Sequence, residues 1–205
     1  MRRDCPLTWQ YLKKFESFLK DRSSSSIRRL MESGPFYSMF AVGPYTLGRH
    51  KVVWREQSGA FQAAVVGPDE HNRRVVPDHK LMLVDFDNRP AEAHYVCALL
   101  NSAPSIALVG AYVVSTSTST HVLEHVRIPK YDAKVPLHRR LGELSQKAHA
   151  AAGQGKADLL SEVEAEIDQA AGKLWGISSR NLRAIVEFVR AQEPRPLLDA
   201  QGEPE

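Results

Sequence analysis

One segment of the chain, residues 43–55, combines residue types that contact nucleic acid. Its sequence is GPYTLGRHKVVWR, and its first half is rich in turn-forming residues. Its first nine residues carry one aromatic residue and three basic residues: Tyr45, Arg49, His50 and Lys51. Lysine and arginine neutralise phosphates, and arginine can make a bidentate contact to guanine. The segment therefore predicts a cationic loop suited to a polyanion, with an ordinary solvated loop as the alternative.

A strand is predicted directly after this loop, because polar and apolar residues alternate there. Val52 and Trp54 then face one side of a sheet, and Lys51, Val53 and Arg55 face the other. The strand would hold the loop in place. It would also add the arginine at its end to the predicted contacts.

A run of small hydroxyl residues lies in the middle of the chain, at Ser115, Thr116, Ser117, Thr118, Ser119 and Thr120. Such a run is typical of a flexible linker. It can equally supply hydroxyl groups that hydrogen-bond to phosphates and base edges. Both interpretations remain open from the sequence.

His121 and His125 belong to an H-x-x-E-H motif, which is known from inverted zinc metallopeptidases. That chemistry needs a helix, in which the two histidines lie one turn apart and the glutamate acts as the base. The surrounding residues favour a strand, where the two histidines would be roughly 13 Å apart and too far for one ion. We therefore predict no metal site and keep a zinc metallopeptidase as a remote alternative.

The charge of the chain is unevenly distributed, although its net value is only +3 over 205 residues. Residues 1–60 contain 11 Lys and Arg against 5 Asp and Glu, a net charge of +6. This excess around the loop indicates an anionic partner. The two cysteines favour a reducing cytoplasm, and no apolar run approaches the roughly 20 residues of a membrane span.

Residue patterns predict an α/β (α+β) fold, with a mixed or antiparallel-rich sheet, flanking helices and a helical C-terminal region. Strands are predicted at 36–40, 51–55, 61–66 and 81–86, with a return to the sheet at 122–128. Helices are predicted at 6–20, 27–32, 90–102, 104–114, 137–152, 158–174 and 181–190. The predicted domains are 1–132, a helical region 133–190 and a disordered tail 191–205.

The order and spacing of several segments resemble the C-terminal target-recognition domain of bacterial N6-adenine DNA methyltransferases. These are the TaqI-like specificity domains of fused restriction–modification and phage-defence enzymes. The resemblance covers about residues 5–152. It is carried by FYSMFAVGPYTLGRHKVVWR at 36–55, VPDHK at 76–80, YVCALLNS at 95–102, STSTSTH at 115–121, VRIPK at 126–130 and LHRRLGELSQKAH at 137–149.

The resemblance implies an α/β domain that reads double-stranded DNA beside a methyltransferase domain or subunit. Phosphate and base contacts are then expected from Tyr45, Arg49, His50, Lys51 and Arg55. The hydroxyl run and His121 would add hydroxyl and imidazole contacts. His79 and Lys80 are further candidates.

The chain departs from complete family members because it lacks the Asn/Asp-Pro-Pro-Phe/Tyr catalytic tetrapeptide and a glycine-rich S-adenosylmethionine loop. We therefore expect that it is not an enzyme by itself, and that S-adenosylmethionine binds the associated methyltransferase domain. The flipped adenine would be methylated there. The main alternative is a protein-interaction module that docks a methylase or nuclease subunit.

Overall fold

The structure, a computed structural model, describes residues 1–40, 42–56, 60–112 and 122–192. The chain divides into two compact units, Met1–Pro44 and Tyr45–Glu205.

The first unit contains three short helices: α1 (Pro6–Lys13), α2 (Glu16–Lys20) and α3 (Ser25–Ser33). The hydroxyl of Ser24 caps α3 by accepting a hydrogen bond from the backbone N–H of Ile27 at 3.5 Å. The guanidinium of Arg22 donates to the carbonyl oxygens of Leu19 and Phe36, at 2.7 and 3.0 Å, and so ties the end of α2 to the segment after α3.

Two predictions for this unit are wrong. The helix predicted at 6–20 is broken, because the N–H groups of Lys14 and Phe15 bond three residues back and tighten the chain after α1. The strand predicted at 36–40 is absent from the described residues of this unit. The backbone N–H and the hydroxyl of Ser38 both donate to the carbonyl of Pro35, at 2.9 and 2.7 Å, and form a turn instead.

The second unit is built on a three-stranded antiparallel sheet of β1 (His50–Arg55), β2 (Ala63–Val66) and β3 (Leu81–Asp87), in the order β2-β1-β3. The sheet and its flanking helices confirm the predicted α/β class with an antiparallel-rich sheet. The pairing of β1 with β3 shifts between His50 and Lys51, next to Asp85–Asp87, and this irregularity ends the regular ladder.

Helices follow the sheet in the order α4 (Pro90–Leu100), α5 (Ala103–Tyr112), α6 (Val122–His125), α7 (Pro136–Gly153), α8 (Ala157–Leu174) and α9 (Ser179–Gln192). The strand predicted at 122–128 is therefore wrong, since that segment begins with the helical turn α6. Among the described helices, none alone is long and apolar enough to cross a membrane. The α4 and α5 helices reach that composition only as a pair bent by 64°.

Helix α4 lies at the centre of the second unit. One side of it packs against the sheet in a buried cluster that includes Val52, Trp54 and Phe86. The other side packs against α7 and α8, where Leu99 meets Leu141 in a second cluster. Because α7 and α8 share this core with α4, the compact unit runs across the predicted domain boundary at 132/133, and the division falls at 44/45 instead.

Candidate nucleic-acid interface

The loop before β1 is held in place by Lys51, whose side chain is only 1% exposed. Its Nζ donates hydrogen bonds to the carbonyl oxygens of Gly48 and Val75, the latter at 3.0 Å. Burial lowers the pKa of this ammonium, and the nearby Asp85 carboxylate opposes that shift. Lys51 therefore joins two loops from the inside and does not present a cation to solvent, contrary to its predicted contact with DNA.

The first of these loops contains a 3-10 turn, Pro44–Leu47, followed by Gly48. Gly48 is buried, and a Cβ atom at this position would lie 1.7 Å from Oδ1 of Asp85. Only glycine allows the backbone to pass so close to that carboxylate. The side chain of Tyr45, in the 3-10 turn, is 43% exposed.

Arg49 and His50 lie at the start of β1 and are both half-buried. The backbone N–H of Arg49 donates to Oδ1 of Asp87 at 3.3 Å, and its guanidinium donates to the side-chain oxygen of Asn72. Nδ1 of His50 lies 2.8 Å from the carbonyl oxygen of Asp87. These contacts hold Arg49 and His50 at one end of the sheet.

The second loop, residues 67–80, is organised around the carboxylate of Asp69. Its Oδ1 accepts hydrogen bonds from the N–H groups of His71 and Arg73, at 3.0 and 2.8 Å, and these bonds help to lower the pKa of Asp69. Oδ2 accepts from Nε of Arg73 at 2.7 Å. Asn72 adopts a positive φ of 60°, which an asparagine tolerates better than most residues.

The carboxylates of Asp69, Asp85 and Asp87 each accept a hydrogen bond from a backbone N–H group. Arg74 is exposed, and among the described residues it forms no ion pair with a carboxylate. Asn72 and Arg74 are not among the contact residues predicted from the sequence. The available signal was the Asp-x-x-Asn-Arg-Arg spacing, which is typical of a turn closed by its aspartate.

Arg55, His79 and Lys80 lie at the opposite end of the sheet. Arg55 ends β1 opposite Leu81, and the N–H of Glu56 donates to the carbonyl of Lys80 at 3.0 Å. Since Arg49 and Arg55 are separated by six residues of nearly extended chain, they are about 20 Å apart. The structure therefore divides the predicted contacts of the second unit into two groups.

Arg55 borders a cleft of about 850 Å³ between the sheet end and helices α5, α8 and α9. The cleft contains the carboxylate of Asp168, whose pKa is raised by burial. Oδ1 of Asp168 accepts a hydrogen bond from the N–H of Ala103 at 2.6 Å, at the first residue of α5. This carboxylate thus satisfies a helix end, a structural role.

The remaining predicted contacts, Ser115 to Thr120 and His121, lie outside the described residues. His125 is exposed and belongs to α6, so the strand argument against the H-x-x-E-H motif does not hold. Within the described ranges, no three His, Cys, Asp or Glu side chains are placed to hold one metal ion. The absence of zinc stays a prediction.

Comparison of the chain with protein-family models, curated proteins and solved structures finds no match. The interpretation of this surface therefore depends on its own geometry and on the resemblance described above.

Proposed function

We propose that this chain is a DNA sequence-recognition domain for an N6-adenine DNA methyltransferase whose catalytic domain is not part of the chain. The observation that supports this most is that the loop before β1 and the loop 67–80 are braced against each other. Arg49 bonds to Asn72 across the two loops, Tyr45 and Arg74 are exposed on them, and the buried Lys51 holds the loops together.

DNA is favoured as the partner by the combination of cations, an amide and an aromatic ring on a fixed backbone. Arginine can contact phosphates and the guanine edge, and asparagine can contact the adenine edge. Base readout also needs side chains held in position by surrounding structure. Arg49 meets that requirement because its backbone is bonded to Asp87 and its side chain to Asn72.

The test is the salt dependence of binding to mixed-sequence duplex DNA. We expect affinity in the non-specific range near physiological salt, on the order of 10⁻⁴ to 10⁻⁶ M. The double variant Arg49→Ala, Arg74→Ala should bind more weakly, with a salt slope reduced by roughly one unit for every phosphate that is no longer neutralised. An unchanged affinity and slope would remove this surface from consideration.

A matched control is the double variant Arg28→Ala, Arg29→Ala, which removes the same charge from exposed positions on α3. It should change binding less than the loop variant. If both variants weaken binding equally, net charge alone determines the affinity and the loops are not a specific surface.

A second experiment tests whether methyl transfer requires a separate methyltransferase domain. Incubation of the chain with labelled S-adenosylmethionine and mixed-sequence DNA should leave the DNA unlabelled. Labelling of the DNA should appear when a cognate methyltransferase domain is added. Incorporation by the chain alone would overturn the proposal that catalysis lies elsewhere.

A protein-docking function is the second candidate, and the surface of the first unit favours it. Leu7 and Tyr11 lie on α1, Phe15 lies in the break after it and Phe18 lies on α2. Their side chains are 78, 60, 42 and 77% exposed, in that order along the chain. Tyr11 and Phe15 are in ring contact, with centroids 5.2 Å apart, and a concentration of exposed apolar side chains is typical of a protein-binding surface. If the chain binds a methylase or nuclease subunit tightly and binds DNA without a salt slope, this function replaces DNA reading.

A further inference from the structure

The two edge strands of the sheet, β2 and β3, differ in the partners of their outward backbone groups. On the β2 edge, helix side chains complete the backbone hydrogen bonds. Oδ1 of Asn101 accepts from the N–H of Ala63, and Nε2 of His149 accepts from the N–H of Val65, both at 2.8 Å. These side chains occupy the place of a further strand.

The same bonds show which backbone groups of β3 point away from the sheet. Ala63 and Val65 of β2 direct their N–H groups away from β1. In β1, Trp54 is paired with Ala63 and Val52 with Val65, so Trp54 and Val52 direct their backbone groups away from β2 and toward β3. Trp54 pairs with Met82, and Val52 pairs with Val84. The alternating residues of β3, namely Leu81, Leu83 and Asp85, therefore direct their backbone groups outward.

The outer edge of β3 has few partners. Among the described residues, Leu81 N–H donates to the carbonyl of Asp78 at 2.9 Å, and no other element hydrogen-bonds to the outward backbone groups of Leu83 and Asp85. The edge is also apolar, with the sequence LMLV at 81–84. Natural edge strands usually carry protection against pairing. Here a pairing irregularity is present only at the Asp85–Asp87 end.

We infer that β3 is a self-association surface, on which β3 of a second copy pairs antiparallel with Leu83 at the two-fold axis. Leu83 of each copy then exchanges hydrogen bonds with Leu83 of the other, and the N–H of Asp85 reaches the carbonyl of Leu81. This gives about four main-chain hydrogen bonds. Two sheets of three strands become one continuous sheet.

The second copy is the favoured occupant because the edge is complementary to itself. His79 and Lys80 precede the strand, whereas Asp85 and Asp87 end it. Antiparallel pairing centred on Leu83 brings the basic end of one copy to the acidic end of the other. Parallel pairing would place like charges opposite each other. An interface with two-fold symmetry uses the same surface of both copies, so association ends at a dimer.

The apolar residues of the edge agree with this register. Met82 of one copy lies opposite Val84 of the other, on the side of the sheet that packs against α4. Both side chains are half-buried in the single chain, at the border of the cluster around Trp54. Pairing would extend that apolar cluster across the axis. Association through β3 does not depend on DNA binding, which uses the loops around Arg49.

The experiment is sedimentation of the 205-residue chain over a concentration series. We expect a monomer–dimer equilibrium within the range up to about 100 µM, and weakening of about tenfold or more in Leu83→Lys, which places two lysines opposite each other. The control Leu159→Lys, at a position 43% exposed on α8, should dimerise as the parent does. A monomer throughout the series, or a Leu83→Lys variant that dimerises normally, overturns the inference.

Cross-linking checks the register if the lysine variant does not fold. In a Cys5→Ser background, Leu83→Cys should form a covalent dimer with a short bismaleimide, since the two Cα atoms of such a pair are about 5.5 Å apart. Leu81→Cys should cross-link far less, because its copies would be roughly 13 Å apart. Equal cross-linking at both positions overturns the antiparallel register.

Discussion

The side chain of Asn101 pairs with both backbone groups of Ala63, as a neighbouring strand would. Oδ1 accepts from the N–H and Nδ2 donates to the carbonyl, each at 2.8 Å. Asn101 follows α4 as its C-terminal cap, so this pair connects the end of the central helix to the edge of the sheet. Ala63 is 4% exposed, and water cannot readily replace the amide.

Substitution of Asn101 by leucine should destabilise the second unit. Leucine has nearly the same volume but leaves the N–H of Ala63 without its partner, which lowers the free energy of unfolding by about 2 kcal/mol. Urea denaturation measures the change. Gln146→Leu, at an exposed position on α7, serves as the control and should change stability by less than about 0.5 kcal/mol. Equal effects would show that the amide pair contributes nothing specific.

A second helix side chain on the same edge, His149, lies beside a histidine whose pKa is lowered. Nδ1 of His149 contacts the carbonyl oxygen of Ser145 at 2.7 Å, and its Nε2 accepts from the N–H of Val65. His94 packs edge-on against it with ring centroids 5.2 Å apart. Burial and the neighbouring His149 and His50 lower the pKa of His94 from 6.5 to about 4.

Stability should therefore fall as the pH decreases from 6.5 to about 4. In this window the unfolded chain binds a proton at His94 that the folded chain does not, so acid favours unfolding. Because His94 is only half-buried, water screens the effect, and we expect no more than about 2 kcal/mol. Thermal melting as a function of pH should show a flatter profile for His94→Gln. The exposed control His71→Gln should keep the parent's profile.

The close approach of Gly48 to Asp85 predicts a strong effect of one methyl group. Gly48→Ala would place its Cβ 1.7 Å from Oδ1 of Asp85, and that carboxylate is held by the N–H of Asp87 at 2.8 Å. We expect a loss of about 1–3 kcal/mol in chemical denaturation. Gly153→Ala at the end of α7 meets no atom within 4 Å, and should be neutral or stabilising by up to about 1 kcal/mol. Similar losses in both variants would contradict the steric explanation.

Regular periodicity made much of the second unit predictable from the sequence. The strands at 51–55, 61–66 and 81–86 and the helices from Pro90 onward follow alternation or helical spacing, and the structure places them within a few residues. The segment 122–128 was misassigned because its β-branched residues suit a strand. In the structure Val126 instead packs against Val109 of α5, a tertiary contact that local pattern does not encode.

The site was less predictable, and Lys51 shows why. Alternation placed Lys51 correctly on the face opposite Val52 and Trp54. Whether that face is open depends on the loop 67–80, which crosses it and bonds to the ammonium through Val75. A periodic pattern identifies which residues share a face, but it carries no information on what covers the face. For the same reason the sequence does not identify Asn72 and Arg74 as site residues, because their positions depend on how that loop folds.

A final prediction tests whether Lys51 only holds the two loops together or also contacts a DNA phosphate. Lys51→Met keeps the apolar stem but removes the bonds to Gly48 and Val75. Amide hydrogen exchange should then speed up at 47–51 and 72–76, while the exchange of α7 stays unchanged. If Lys51 only holds the loops, DNA affinity falls without a change in the salt slope, whereas Arg49→Ala lowers the slope by about one unit. A slope that drops in Lys51→Met with no change in exchange would show that the lysine reaches a phosphate directly.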